Sequence, residues 1–548
     1  MLALHQHGTQ AGLTNDNLTA LFHVHQMRES GLGQLLRINW ARIPSLIPDY
    51  AIAATADQLG RSVRDKMTIS CLLQAGLGIS SVVLLLRAGL RKHSGAWLLL
   101  LLACYGIPLL LSPGFQQLAM LATLPVNHGG NWITTAVFLA LVVQAPACGL
   151  RSHTGVLVAV ASLAFLATFS NRLFLLTAVL PPLLIHFAPA RHLRYRLRIP
   201  SLGSLTGWSL AGGLVGCLLY LIVPHQCSDH LVGTRNLEAL AAVLGAHRAA
   251  ILFLLTPCLI WIGHRVSLGR GRWPPDGEQA RGLLLGDSLL LMLCGFTLIY
   301  PWLARGEVDA IYLRYLLTPM LLAPCLAALA IQLTWQHTGP GRAGWRKPAS
   351  VGVMLGGLAL AGNGFAGAQQ ISPRAENPAD RALLQALPSL MRLSCDGPDC
   401  VILTSNPPFH SLRLQLELAE RGLRVLEVSG HGDPLVFWMG RSDFYKNQVF
   451  VPEDPFRRLR SSRLLATSLE QSRSLRASLG NPIQTIRLDD AGHVVLLYPD
   501  ERRIREKAAV FFASQRQLPF CVPDSIRQPL LRWRSLVRQV MILSPQGS

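Results

Sequence analysis

Between residues 68 and 369 the chain alternates long apolar runs with short polar loops. The apolar runs lie at approximately 68–86, 95–112, 132–149, 154–170, 173–188, 203–223, 249–264, 282–302, 311–333 and 350–368. Such runs predict helices that cross a lipid bilayer, although several are shorter than the ~20 residues that span it comfortably. The pattern therefore predicts a mainly α fold, with a polytopic domain of about ten transmembrane helices over residues 67–370.

The loops between these runs alternate in positive charge. One set holds fifteen basic residues: Arg87, Arg91, Lys92, Arg151, Arg191, Arg194, Arg196, Arg198, Arg265, Arg270, Arg272, Arg281, Arg342, Arg346 and Lys347. The opposite set holds four: Arg172, Arg235, Arg248 and Arg305. Because basic loops stay in the cytoplasm, this asymmetry predicts that residues 1–66 and the chain after about residue 370 lie outside it. We expect a bacterial inner-membrane location.

Residues 1–66 read as an extracytoplasmic first-loop segment that lies on the membrane surface. Asn15, Asp16 and Asn17 are suited to cap a helix that runs to about Glu29. A proline-punctuated turn at 42–50 precedes a short amphipathic helix to about Leu59. The segment is basic, and such a tail is translocated poorly without a preceding apolar helix. Either the predicted topology is wrong at this end or, as we favour, an apolar helix lies upstream of the sequence.

The composition changes after residue 369. A buried strand at 401–405, a helix at 411–421 and a second strand at 424–428 predict a small extracytoplasmic α/β domain with a parallel sheet over 371–500. Residues 501–548 form a basic amphipathic tail that either lies on anionic lipid or packs on its own domain.

Composition narrows the class of protein. Half of the 548 residues are hydrophobic, 15% are charged, and the mean hydropathy is +0.35. The net charge of +20 does not indicate nucleic-acid binding, because much of the surplus lies in short loops where it orients the chain. Of eleven cysteines, Cys395 and Cys400 can close a small disulfide loop if their segment is extracytoplasmic.

Candidate chemistry rests on the outward-facing polar residues, since the sequence has no phosphate-binding loop, HExxH or GxSxG motif. Asp16 is either a helix cap or a functional carboxylate. Asp49 and Asp57 read most simply as turn and helix-surface residues. His128 lies in a glycine-containing loop at 127–131, which is either an ordinary loop or one whose glycines let a ligand approach the backbone.

Two arginines are the outward-facing cations of interest. Arg314 lies near the outer end of an apolar helix, where a cation is costly unless it reaches the interface or pairs with an anion. It is suited either to a lipid phosphate or to a salt bridge with Glu307 or Asp309. Arg172 follows Ser170 and Asn171 and is either a turn residue or a second anion ligand.

These features together resemble the GT-C superfamily of polytopic membrane glycosyltransferases, of the protein-mannosyltransferase (glycosyltransferase family 39) and lipid-A-aminoarabinose-transferase type. The resemblance rests on an outward Asp16 in a first loop, a proline-broken amphipathic stretch, and the run Arg-Tyr-Leu-Leu-Thr-Pro at 314–319. It covers most of residues 14–500. The chain departs from the family in that Asp16 is flanked by asparagines, where many members have two adjacent acidic residues.

The resemblance implies a mechanism and a set of partners. A sugar on a polyprenyl phosphate in the outer leaflet would be the donor, and Asp16 would be the general base on the acceptor hydroxyl. Arg314, helped by Arg172 or His128, would hold the phosphate, and Asp49 would contribute to substrate binding. No cofactor is predicted from the residues. A divalent metal positioned by the first-loop carboxylate, as in some members, stays open.

Two other classes of function remain open at this point. A transporter or lipid flippase would be expected to carry charge near the bilayer midplane, whereas charges here are scarce within the helices. A non-catalytic envelope-assembly protein is the third interpretation. The sequence leaves the sugar, the acceptor and the oligomeric state open.

Overall fold

The computed structural model describes the following residues. They are 45–90, 129–145, 150–188, 201–222, 237–269, 277–303, 315–337, 377–394, 401–405, 424–429, 436–439 and 463–499, with single positions at 18, 20–22, 24, 25, 28, 105, 122, 356, 409, 414, 416 and 417. The predicted helices 95–112 and 350–368, the Cys395–Cys400 pair and the tail 501–548 fall outside these ranges, apart from positions 105 and 356.

Helices make up the first part of the described chain. They are α1 Ala51–Leu59, α2 Val63–Gly89, α3 Asn131–Gln144, α4 Leu150–Ser170, α5 Leu180–Phe187, α6 Leu202–Ile222, α7 Leu237–Ala246, α8 Arg248–Gly269, α9 Gly277–Leu303 and α10 Leu317–His337. A π-helical turn, Leu175–Val179, leads into α5, and another, Leu46–Tyr50, precedes α1.

Five of the helical segments are long and apolar enough to cross a membrane. They are Val63–Gly89, Leu202–Tyr220, Arg248–Val266, Gln279–Tyr300 and Leu317–Thr334. Three shorter apolar helices, Asn131–Gln144, Thr154–Ser170 and Leu175–Phe187, lie where further spans were predicted. The chain is a multi-pass membrane protein, and the predicted helical fold is confirmed for the described segments.

The start of α2 shows how local sequence sets these elements. Ser62 accepts a hydrogen bond from the Asp65 backbone N–H, and the Asp65 carboxylate accepts one from the Ser62 backbone N–H. This capping box satisfies two N–H groups that the helix leaves without intrahelical partners. The preceding α1 is amphipathic, because Ile52, Ala53 and Ala56 are buried whereas Thr55 and Gln58 are exposed.

The helices form a bundle with two chemically different ends. At one end the start of α3 packs near Asp49 and the end of α4 binds residues 45–47. We call this the Asp49 end. At the other end, Gly89 of α2 packs against Gly282 of α9, and Asp287 lies near Arg265. We call this the Asp287 end. Among the described residues, Asp49, which was predicted to face outward, thus lies at one end, and Arg265, which was predicted to be cytoplasmic, lies at the other.

A hydrophobic cluster closes the Asp49 end. Its members come from segments far apart in the chain: Leu18, Ala20, Leu21, Phe22, Tyr50, Ala53, Ala56, Val63, Met67, Cys71, Phe169, Tyr220 and Leu416. Helical residues of the first segment therefore pack with α1, α2, α4, α6 and a residue of the C-terminal region. The larger bundle core lies between this cluster and the Asp287 end, and it is built mainly from α3, α8, α9 and α10.

The C-terminal region contains a six-stranded sheet. The strands are β1 Val401–Ser405, β2 Arg424–Ser429, β3 Val436–Met439, β4 Leu464–Ser468, β5 Gln484–Arg487 and β6 His493–Leu497, in the order β3-β2-β1-β4-β6-β5. Two helices, α11 Pro378–Ser394 and α12 Leu469–Leu479, accompany it. The predicted parallel pairing is confirmed for β1 with β2. The strand β4, which was not predicted, also pairs with β1 in parallel, and the remaining pairs are antiparallel.

Candidate functional site

A proline loop, defined here as residues 45–50, is fixed against the end of α4. The backbone N–H of Ser45 donates to the Ser170 carbonyl at 3.0 Å, and that of Ile47 donates to the Ser170 hydroxyl, also at 3.0 Å. Ser170 in turn donates to the Leu166 carbonyl at 2.7 Å. The loop contains a cis peptide bond between Ile47 and Pro48. These contacts hold the loop, and with it Asp49, at one place on the bundle.

Asp49 is buried beside the first turn of α3, with 1% of its surface exposed. A Cβ atom at Gly130 would lie 2.6 Å from the Asp49 Oδ1 and closer still to Pro48, so only glycine fits there. Burial raises the pKa of Asp49 to about 8, while a hydrogen bond with the Ser45 side chain opposes the rise. Burial therefore favours the neutral form of the carboxyl group, and Asp49 is a turn residue, as predicted, but a buried one.

Asn131 ties α3 to two other elements at the same end. Its Nδ2 donates to the Thr318 hydroxyl at 2.9 Å and to the Thr177 hydroxyl at 3.4 Å. The Thr135 and Thr177 hydroxyls are also paired, at 2.9 Å. Thr318 belongs to the Arg-Tyr-Leu-Leu-Thr-Pro run, and Asn131 ends the loop that contains His128. The structure thus joins two motifs that the sequence placed nearly 200 residues apart.

Arg172 lies immediately beyond the residues that bind the proline loop. Its guanidinium carbon stands 4.1 Å from the centre of the Tyr220 ring, a cation–π contact between the α4–α5 turn and the end of α6. The Asn171 side chain accepts a hydrogen bond from the Leu173 backbone N–H at 3.1 Å and so orders the same turn. The arginine side chain is exposed, whereas Tyr220 is 2% exposed.

Asp57 is the centre of a charge cluster, which corrects its interpretation as a helix-surface residue. It is 4% exposed, and its two carboxylate oxygens accept from the Lys66 Nζ at 2.7 Å and from an Arg28 nitrogen at 3.0 Å. Two cations around one carboxylate leave a local surplus of positive charge. The sequence did contain a signal for this ion pair. Lys66 lies at the start of an apolar helix, where an unpaired cation is costly, so a buried acidic partner was to be expected.

The remaining predicted site residues, Asp16, His128 and Arg314, lie outside the described residues. At the opposite end, Asp287 accepts from the Trp261 indole N–H at 2.7 Å and lies 3.4 Å from the Arg265 Nε, in keeping with a structural role. In the described part of the chain, no group of three or more His, Cys, Asp or Glu residues is placed to hold a metal ion.

Two solved structures are similar to this chain over most of its length. ArnT from Cupriavidus metallidurans in the apo state aligns with 14% sequence identity over 92% of this chain and 98% of its own, with a TM-score of 0.46. ArnT bound to undecaprenyl phosphate aligns with 12% identity over 90% and 96%, with a TM-score of 0.43. No protein-family model and no curated protein matches the sequence.

The similarity is to the fold of ArnT. ArnT is of the aminoarabinose-transferase type, which is one of the two types that the sequence resembles. Because the identity is low and the TM-score is below 0.5, no residue role or activity of ArnT is carried over to this chain.

Proposed function

We propose that this protein is an integral-membrane glycosyltransferase that moves a sugar from a polyprenyl-phosphate donor to an acceptor on the extracytoplasmic side of a bacterial inner membrane. The observation that carries the proposal is the convergence at the Asp49 end. There the proline loop is bound by Ser170, Asp49 lies against Gly130, and Asn131 is bound to Thr318. A transferase needs such a junction, because its base, its sugar and its leaving group must meet at one point.

The chemistry assigned to this end follows from the resemblance and from general acid–base principles. Asp16 accepts the proton of the acceptor hydroxyl as the hydroxyl oxygen bonds to the anomeric carbon of the sugar. The bond between that carbon and the phosphate oxygen breaks, and polyprenyl phosphate departs with the bonding electrons. A positioned base of this kind contributes roughly 10²–10⁴-fold to the rate.

Cations at the same end suit the departing phosphate. Arg172 is exposed and is held in place by Tyr220, and the Asp57 cluster with Lys66 and Arg28 adds a surplus positive charge. Fixed positive groups stabilise negative charge as it develops on a leaving group. Arg314 and His128 are assigned to the phosphate by the resemblance, and Asp49 is assigned to substrate binding.

The test uses the full-length protein in proteoliposomes with polyprenyl-phosphate-linked radiolabelled sugars and envelope lipids from a bacterial membrane extract. Formation of a labelled acceptor product and of free polyprenyl phosphate is measured. Asp16→Asn is expected to lower the transfer rate at least 100-fold, a loss in the range for a general base, without changing the yield of folded protein. Asp65→Asn is the matched control, since Asp65 caps α2 and an asparagine still offers an oxygen acceptor.

Three results would overturn parts of the proposal. Wild-type transfer by the Asp16→Asn variant removes Asp16 from the mechanism. Transbilayer movement of the lipid-linked sugar without formation of a product identifies a flippase. Absence of both activities in the wild-type protein, with envelope assembly lost when the protein is deleted, identifies a non-catalytic assembly protein.

A further inference from the structure

One buried asparagine connects two segments that lie far apart in the chain. The Asn131 Nδ2 donates to the Thr318 hydroxyl at 2.9 Å and to the Thr177 hydroxyl at 3.4 Å. Thr135, one turn farther along α3, is paired with Thr177 at 2.9 Å. We call these four residues the Asn131 network. All four are buried, with at most 5% of their surface exposed.

The hydrogen atoms of the network fix which atom faces which. The Thr177 hydroxyl donates within its own helical segment, to the Leu173 carbonyl at 3.2 Å, so its oxygen accepts from its other neighbours. The side-chain nitrogen of Asn131 carries two hydrogen atoms, and one is directed to each threonine. A leucine has a size similar to that of asparagine but donates to neither threonine, so Asn131→Leu removes both links.

Thr177 belongs to the segment that carries Arg172. It lies in the π-helical turn Leu175–Val179, and the backbone N–H of Leu175 donates to the Arg172 carbonyl at 3.2 Å. Such π-helical turns are rare and occur frequently at functional sites. The Arg172 guanidinium is in turn held 4.1 Å from the centre of the Tyr220 ring. A displacement of Thr177 is therefore passed on to the backbone of Arg172.

Thr318 belongs to the start of α10. Residues 315 and 316 form a 3₁₀ turn that leads into the helix, and Thr318 is the second residue of α10. In the sequence, Arg314 directly precedes this turn. The proposed function assigns both Arg172 and Arg314 to the phosphate of the donor. Asn131 thus links the two segments that carry the proposed phosphate-binding cations.

Stability alone does not explain the network. A hydrogen bond inside a protein replaces hydrogen bonds to water, so its net contribution to stability is small, and apolar groups of the same shape can replace both partners at little cost. The Asn131 Oδ1 atom also has no hydrogen-bond partner in the described part of the chain, which makes an asparagine costly here. Directional hydrogen bonds instead specify one arrangement of the helices, because only one geometry aligns both N–H groups with their acceptors.

We propose that Asn131 is a positioning residue that sets the distance between the Arg172 turn and the start of α10, so that both segments bind one phosphate of a polyprenyl-phosphate substrate. The inference rests on the proposed function and deepens it, because it names a residue that controls the affinity for the lipid phosphate. Charge-assisted hydrogen bonds to phosphate are about 2.7–2.9 Å long, so a displacement of about 1 Å breaks one of them. Asn131 acts in this way without touching the substrate.

The test measures the binding of farnesyl phosphate, a short polyprenyl phosphate, to the full-length protein in phosphatidylcholine nanodiscs by isothermal titration calorimetry. Farnesol, which has the same chain without the phosphate, is the control ligand. We expect the wild-type protein to bind farnesyl phosphate more tightly than farnesol. Asn131→Leu is expected to weaken the binding of farnesyl phosphate about tenfold, the effect of one lost charge-assisted hydrogen bond, and to leave farnesol binding unchanged.

Gln332→Leu is the matched control, because it replaces a buried amide by leucine at the other end of α10. Gln332 is 6% exposed, and its neighbour Leu333 packs near Gly282 at the Asp287 end. This variant is expected to bind both ligands like the wild-type protein. Equal binding of farnesyl phosphate by the wild-type protein and Asn131→Leu overturns the proposal. Equal binding of farnesyl phosphate and farnesol by the wild-type protein overturns it as well.

A fully apolar variant separates positioning from stability. It combines Asn131→Leu with Thr135→Val, Thr177→Val and Thr318→Val, which leaves no member of the network polar, so its Tm should return toward that of the wild-type protein. The weak binding of farnesyl phosphate should persist in this variant, because the directional links are still absent. Recovery of binding together with the Tm would identify a purely structural role and overturn the proposal.

A double-mutant cycle tests whether Asn131 acts through Arg172. Arg172→Gln removes one of the two cations, and the distance between them no longer matters when one is absent. Asn131→Leu should therefore weaken farnesyl phosphate binding less than threefold in the Arg172→Gln background, roughly the non-additivity expected of coupled residues. A full tenfold loss in that background would show that the two residues act independently, contrary to the proposal.

The transfer assay separates this inference from the proposed function. The expected result for Asn131→Leu is a raised KM for the lipid-linked donor, with kcat and the KM for the acceptor close to wild type. If Asn131→Leu weakens farnesyl phosphate binding but the wild-type protein transfers no sugar, the positioning role stands and the glycosyltransferase proposal fails. If the wild-type protein transfers sugar and Asn131→Leu has an unchanged KM for the donor, the positioning role fails and the transferase stands.

Discussion

Replacing Lys66 by methionine is expected to destabilise the Asp49 end of the bundle by about 2–4 kcal/mol. The Lys66 Nζ lies 2.7 Å from Asp57, and the two side chains are 9% and 2% exposed. Removing one partner of such a buried pair costs roughly 3–5 kcal/mol, because the other charge stays buried without compensation. Arg28 remains on the second oxygen of Asp57, with its own side chain 56% exposed, and this lowers the expected cost.

Thermal unfolding of the full-length protein in detergent, followed by size-exclusion chromatography, measures this effect. At about 2 °C per kcal/mol for a chain of this size, Lys66→Met should lower the apparent Tm by roughly 4–8 °C. Arg64→Met is the matched control, since Arg64 lies two residues away and is exposed. Its Tm should stay close to that of the wild-type protein.

A double variant tests whether the buried charge is the cause. Lys66→Met combined with Asp57→Leu removes both charges and fills the site with apolar atoms, so most of the lost stability should return. The reasoning is refuted if Lys66→Met melts like the wild-type protein. It is refuted equally if the double variant is less stable than Lys66→Met alone.

Two further predictions concern helix packing and pH. A Cβ atom at Gly216 would lie 2.5 Å from the Phe165 carbonyl oxygen. Gly216→Ala should therefore separate α4 from α6 and lower the Tm, whereas Gly207→Ala, with open space around it, should not. The pKa of Asp49 rises from 3.8 to about 8 on folding, so the folded protein keeps a proton that the unfolded chain releases. Stability from this group should fall as pH rises from about 4 toward 8, and the Tm difference between wild type and Asp49→Asn across this range measures it. A flat difference, or equal melting of the two glycine variants, would contradict the respective prediction.

The helices and strands that depend on a local sequence pattern could be predicted from the sequence. Apolar runs predicted α2, α6, α8 and α9 within a few residues, because a bilayer demands length and hydrophobicity along one continuous segment. The strands β1 and β2 were recognisable for a similar reason, since each is a short buried run near a turn signal. The antiparallel edges were not predicted, because strand direction at an edge depends on connections and not on the strand itself.

The arrangement of the Asp49 end was not predictable from the chain alone. Asp57 was interpreted as a surface residue because the pattern of α1 does not show that Lys66 and Arg28 reach it. Asn131 and Thr318 carry no individual signal, and their hydrogen bond exists only because α3 and α10 begin at the same level of the bundle. Thr177 was unremarkable within a hydrophobic run, and only its hydrogen bonds to Asn131 and Thr135 distinguish it.

The hydrophobic cluster that joins Leu18 to Leu416 has a consequence for how the protein is made. A ribosome adds roughly 5–20 residues per second, so the two halves of this contact emerge about 20–80 s apart. During that interval the cluster that contains Leu21 and Phe22 lacks Leu416. A protein released before residue 416 would leave this part of the cluster uncovered, while α1, α2, α4 and α6 already cover the rest.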